Sequence, residues 1–88
     1  MPGSNFTIKY TEIVIKKHIP KLASSIKEYI KQAIERKLVI DPFTYGKPLQ
    51  YSYKGYRSLR VSDYRIIYYI EKQDVIIIAI KHRREVYL

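Results

Sequence analysis

Apolar residues along this chain change period from two to about four and back to two, and each change predicts a different element. Phe6, Ile8 and Tyr10 alternate with Thr7 and Lys9, the spacing of a strand with one buried face. Thr11 then stands where a helix N-cap belongs and predicts a first helix over residues 12–19. It should stop near Pro20, because a residue that precedes proline disfavours helical dihedrals, unless Pro20 instead opens the next helix. From Leu22 onward, Leu22, Ile26, Tyr29, Ile30, Ala33 and Ile34 fall on one face of a second helix. The opposite face, with Lys27, Glu28, Lys31, Gln32 and Glu35, reads as solvated surface carrying helical ion pairs rather than as a catalytic carboxylate pair.

Asp41-Pro42 and Gly46-Lys47-Pro48 break the helical pattern and predict a loop. Beyond it, β-branched and aromatic residues predict strands over residues 56–61, 64–70 and 75–80, with tight connections at Ser62-Asp63 and at residues 71–74. Residues 75–80 have no polar face and so predict the central strand. A last short strand or extended tail is expected over residues 84–88. The order predicts an α+β fold: an N-terminal strand, two helices, then a three- to four-stranded antiparallel meander with the helices packed on one sheet face.

Length adds the expectation of one domain over residues 1–88, since halving the chain would leave two marginal cores. Charge changes the picture more. Lys and Arg number 17 against 8 Asp and Glu, a net +9 that repels itself and points to an anionic partner, nucleic acid first. Cysteine is absent, so no disulfide or thiolate chemistry arises; that fits a cytoplasmic protein. Residues 1–10 lack the apolar core of a signal peptide, and the run at residues 75–80 is too short to cross a bilayer. His18 and His82, the only histidines, have no ligand-spaced partners, which predicts no metal. Glycine occurs only at Gly3, Gly46 and Gly55, too sparsely for a phosphate-cradling loop, and no cofactor is expected.

Basic residues concentrate in the strand half: Lys54, Arg57 and Arg60, then Arg65, then Lys81-His82-Arg83-Arg84, interleaved with Tyr56, Tyr64 and Tyr87. Cations that neutralise phosphates beside rings that stack on unpaired bases are what an RNA site requires. Strand alternation puts Tyr56, Ser58 and Arg60 on one face, and Arg57 on the other with Leu59 and Val61.

The segment Gly55-Tyr56-Arg57-Ser58-Leu59-Arg60-Val61-Ser62-Asp63-Tyr64-Arg65-Ile66-Ile67-Tyr68, followed by His82-Arg83-Arg84-Glu85-Val86-Tyr87, resembles the signature of the RelE/ParE toxin superfamily. The spacing of Asp41-Pro42 and Gly46-Lys47-Pro48-Leu49 is similar to that family's helix-to-sheet linker. The resemblance implies the toxin of a type II toxin-antitoxin system: a ribosome-dependent, metal-independent messenger-RNA endoribonuclease, held in check by an acidic antitoxin. It implies catalytic roles for Arg65 as phosphate clamp, Arg60 beside it, Arg83 as a further phosphate contact and Tyr87 as a base-stacking or hydroxyl-orienting ring. His82 is the candidate acid or base, because imidazole titrates nearest neutrality. Lys54, Arg57, Lys81 and Arg84 are candidate RNA-binding residues. Where RelE-type enzymes carry strand lysines, this chain has Tyr56 and Ser58, leaving Lys54 or Arg57 as substitutes. The same superfamily contains ParE-like toxins that inhibit DNA gyrase without cutting RNA, and a degenerate toxin that only binds antitoxin is a third reading.

Overall fold

The computed structural model describes residues 5–49 and 55–86, which leaves Lys54 and Tyr87 outside the described residues. The N-terminal alternation forms β1 (Thr7–Tyr10). The first helical segment opens at residues 12–13, widens to a π-helical turn at Val14–His18 and tightens to a 3₁₀ turn at Ile19–Lys21. Pro20 sits in the first turn of that last piece, where its missing N–H costs nothing, so it changes the helix pitch instead of ending the segment. Leu22 is extended and Ala23 caps α1 (Ser24–Ala33), which continues through a π-helical turn at Ile34–Leu38.

The buried stripe on this helix is narrower than the spacing predicts. Ile30, Ile34 and Leu38 are buried, while Tyr29 is 54% exposed. One residue is about 100° of helical rotation, which places Tyr29 on the flank of the stripe. Within the predicted loop lies one helical turn, α2 (Pro42–Tyr45), where Asp41 Oδ1 accepts the Thr44 N–H at 3.1 Å. Hydrogen bonding by the Thr44 hydroxyl, with this N–H second, holds the Asp41 carboxyl below the usual carboxylate range.

The sheet adds β2 (Lys47–Pro48), β3 (Arg57–Val61), β4 (Tyr64–Glu71) and β5 (Asp74–His82), in the spatial order β1-β5-β4-β3-β2. The last four strands run antiparallel, and β1 pairs with β5 in parallel, so the sheet is mixed. The centre is β4, not the apolar run in β5 expected there. β5 is still an interior strand, hydrogen-bonded to β1 on one edge and β4 on the other, and its Val75, Ile77 and Ile80 pack in the core under the helices. Val14, Ile30, Ile34 and Leu38 from the helices, with Leu22 from the link between them, pack on Leu59, Val61, Ile66, Tyr68, Val75 and Ile77 from one face of the sheet. Among the described residues no helix is long and apolar enough to cross a membrane.

The expected C-terminal strand or tail is instead a helical turn over its described part, α3 (Arg83–Val86); residues 87–88 lie outside the described residues. His82 and Glu85 explain it. The His82 N–H donates to Glu85 Oε1 at 2.8 Å, and the Arg84 N–H donates to His82 Nδ1 at 3.2 Å. This reciprocal arrangement is a capping box with histidine in the place of serine or threonine.

Candidate nucleic-acid interface

Strand register decides which side chains meet. Arg60 on β3 pairs with Arg65 on β4, and Arg65 pairs with Lys81 on β5, so three cations form a row across the sheet face turned away from the helices. Like charges directly opposite each other repel. An arrangement that concentrates them on an open face suits an anion laid across the strands.

Lys81 reaches this row through an irregularity. The β4–β5 register skips one residue of β5, pairing Ile67 with Ala79 and Tyr68 with Ile77, so Ile78 is a bulge. Without it, Lys81 would continue the Val75 and Ile77 face into the helices. With it, Ile80 and His82 take that side and Lys81 falls in register with Arg65, beside the cleft of His18 and His82 that it also lines.

Behind the cationic row, about 7 Å along the strands, Ser58, Ile67 and Ala79 form a flatter floor with Lys47 of β2 aligned beside Ser58. Ser58 is buried, and its Oγ accepts from Arg65 Nη1 at 3.4 Å, which orients the guanidinium. A further step along, Tyr56 and Tyr69 lie with ring centroids 5.5 Å apart. Lys47 and Tyr69 are absent from the candidates that the sequence pattern yields. Tyr69 has a signal in its i+4 position from Arg65 on one strand, whereas the two-residue β2 carries no pattern at all.

Arg83 joins the row from outside the sheet. Its N–H donates to Asp63 O at 2.7 Å and its guanidinium lies 3.7 Å from the Asp63 carboxylate, tying α3 to the β3–β4 turn. Arg60, Arg65 and Arg83 thereby line one hollow of about 70 Å³ together with Tyr64 and Asp63. Arg84 is exposed on the next position of α3.

Two candidates are not brought to this face. Arg57 lies on the helix side of β3, where its Nη2 donates to Phe43 O and Gly46 O. His82 also faces the helix side, its ring edge-on to Tyr64 at 5.1 Å and its Nδ1 occupied by the α3 cap. It lines a separate cleft with His18, Lys21 and Glu85. There burial pushes the His18 imidazole below its ordinary range, helped by Lys81 and opposed by Glu85. The His82 N–H holds the Glu85 carboxyl below its own. Among the described residues no group of three or more His, Asp or Glu is placed to hold a metal ion.

Comparison with known proteins places this geometry. A family model described as ParE toxin of type II toxin-antitoxin system, parDE, matches residues 10–87. The toxin-antitoxin complex RelBE2 from Mycobacterium tuberculosis superposes with a TM-score of 0.81 at 27% identity, over 90% of this chain and 92% of the other. The isolated E. coli RelE toxin gives a TM-score of 0.71 at 24% identity, over 93% and 90% of the two chains. A chromosomal ParDE system from P. aeruginosa gives 0.64 at 14% identity, over 90% and 97%. No curated protein matches the sequence significantly. Helices packed on a five-stranded mixed sheet are the fold of RelE-like toxins.

Proposed function

Because this chain belongs to the ParE toxin family of type II toxin-antitoxin systems, within the RelE/ParE superfamily, we propose that it cleaves messenger RNA on the ribosome, using the open sheet face. The observation that carries this reading is the cross-strand row of Arg60, Arg65 and Lys81, joined by Arg83. In the proposed reaction the ribose 2′-oxygen bonds to the adjoining phosphorus, the bond from phosphorus to the 5′-oxygen breaks, and a cyclic phosphate is left. The step places extra negative charge on the non-bridging oxygens, where preorganised guanidinium groups are most effective. Proton transfer falls to Lys81 of the row; Lys54 and Tyr87, the other candidates, lie outside the described residues.

A second reading has its own support. The matching family model is that of ParE, and among the described residues no imidazole lines the hollow beside the row, while the carboxylate that does, Asp63, is paired with Arg83. Inhibition of DNA gyrase without RNA cleavage fits those two facts.

The antitoxin partner is supported by the relatives, which include the RelBE2 complex and E. coli RelE bound to an antitoxin RelB peptide. It is also supported by an open apolar groove of about 150 Å³ between α1 and the sheet, lined by Tyr10, Ile19, Ile30, Ile34 and Ile80 and flanked by Lys27 and Lys31. An amphipathic segment with acidic edges complements such a groove.

Primer extension on ribosome-bound message tests the nuclease. Arg65→Ala is expected to slow cleavage by about a hundredfold to a thousandfold, with the circular-dichroism spectrum unchanged. Cleavage at the parental rate would remove Arg65 from the site. If the parental chain cuts nothing but blocks gyrase supercoiling, the second reading replaces the first.

A further inference from the structure

On the other flank of α1 from the apolar groove lies a polar cleft of about 260 Å³, lined by Tyr29, Gln32, Arg36, Lys37, Arg60 and Ser62. No carboxylate lines it. Arg36 forms no ion pair with any described residue, and Lys37 leans toward Tyr45, its Nζ 5.9 Å from the ring centroid. Tyr29 is 54% exposed and has no aromatic or cationic partner among the described residues. Arg60 lines both this cleft and the hollow with Arg65 and Arg83, so the two are continuous around the β3–β4 turn.

We propose that this cleft is a second RNA subsite, in which a strand leaving the open sheet face turns past Arg60, sets a phosphate on Arg36 and stacks a base on Tyr29. The proposal rests on the RNA-binding reading above. A guanidinium presents a planar fork to phosphate oxygens, and an exposed ring is a stacking surface for any base. An acidic polypeptide would also answer the charge. The continuity with the Arg60–Arg65 row and the free ring favour RNA, and the apolar groove on the opposite flank of α1 is the better seat for a protein segment.

The test uses the full chain and fluorescein-labelled 2′-O-methyl oligouridylates, which lack the attacking hydroxyl, of about three and about twelve nucleotides, read by anisotropy. Arg36→Gln and Tyr29→Ala, both at exposed helix positions, are expected to weaken the longer RNA about three- to tenfold and leave the shorter one unaffected. Arg36→Gln should also lower the slope of log affinity against log salt by about 0.7, the value for one neutralised phosphate on a single strand. Arg65→Ala should weaken both RNAs. If Arg65→Ala weakens both while Arg36→Gln and Tyr29→Ala change neither, the subsite is wrong and the RNA reading stands. If the parental chain binds neither RNA, both are wrong. If Arg36→Gln impairs binding of polyglutamate but not of the longer RNA, the cleft belongs to an acidic protein and the subsite is again overturned.

Discussion

Arg57 Nη2 donates to the carbonyls of Phe43 and Gly46, at 2.5 and 3.0 Å, and its guanidinium carbon lies 5.9 Å from the centre of the Phe43 ring. Its cross-strand partner Tyr68, fully buried, donates from Oη to Pro42 O at 2.7 Å. Together the pair fastens the α2 turn to the sheet. Burial pushes the Tyr68 phenol up, and the Arg57 hydrogen bond and charge pull it back. Gly46 is required at this seam because a Cβ there would overlap the Tyr68 hydroxyl. A charge that composition alone assigns to RNA is thus engaged by backbone oxygens. Arg57→Met, which keeps the chain length and removes the donors, should cost about 1–2 kcal/mol of stability, read as a lower denaturant midpoint, with RNA affinity of the folded protein unchanged. A loss of RNA affinity at constant stability would return Arg57 to the interface.

Among the elements, the limits of β3, β4 and β5 are legible in the sequence within a residue or two, because runs of β-branched and aromatic residues bounded by polar turns mark them. The bulge at Ile78 is not, since an unbroken apolar run carries no polar residue to show where the phase slips. That slip determines the placement of Lys81 and His82, so sequence names the basic residues without revealing how they group. The turn of α3 has a signal, His82 three residues before Glu85, obscured because histidine is an uncommon cap. The bulge has a further consequence. Past it, β5 runs beyond its β1 partner, and the Ile80 N–H donates to His18 Nδ1 at 3.2 Å. That bond needs a neutral imidazole at Nδ1. The folded pKa of His18 lies below the unfolded one, so between the two the unfolded chain binds more protons and stability rises with pH. Acidification from about pH 6.5 to about pH 5 should therefore destabilise the protein. His18→Gln, which keeps an acceptor and does not titrate, should remove that slope. An identical slope in both proteins would place the pH sensitivity elsewhere, because the depressed carboxyls of Asp41 and Glu85 lose their contribution only in more acid solution.

At the scale of the whole molecule, +9 on 88 residues is both a cost and a tool. Among the described residues, ion pairs join Lys9 to Asp74, Lys16 to Glu12 and Arg83 to Asp63, too few to neutralise most of the cations within the fold. The open sheet face places Arg60, Arg65 and Lys81 side by side, and the cleft beyond Arg60 adds Arg36. Self-repulsion of this kind destabilises the compact state and attracts polyanions at long range. Salt should therefore act with opposite signs on the two properties. Between about 0.01 M and 0.15 M the screening length shrinks from about 30 Å to about 8 Å, which relieves repulsion within the free protein and should raise its Tm. Over the same range counterion release makes RNA affinity fall steeply, in proportion to the phosphates neutralised. Replacing Arg83 or Arg84 should flatten that fall by about 0.7 in slope for each phosphate of a single strand that the variant leaves unneutralised, and for Arg84, which has no ion pair among the described residues, the Tm rise should shrink too, because one repelling charge is gone. Differential scanning calorimetry and anisotropy on the same salt series measure both. A Tm indifferent to salt together with a flat affinity would mean that the basic surface is dispersed solubilising charge, and the row across β3, β4 and β5 would then need another explanation.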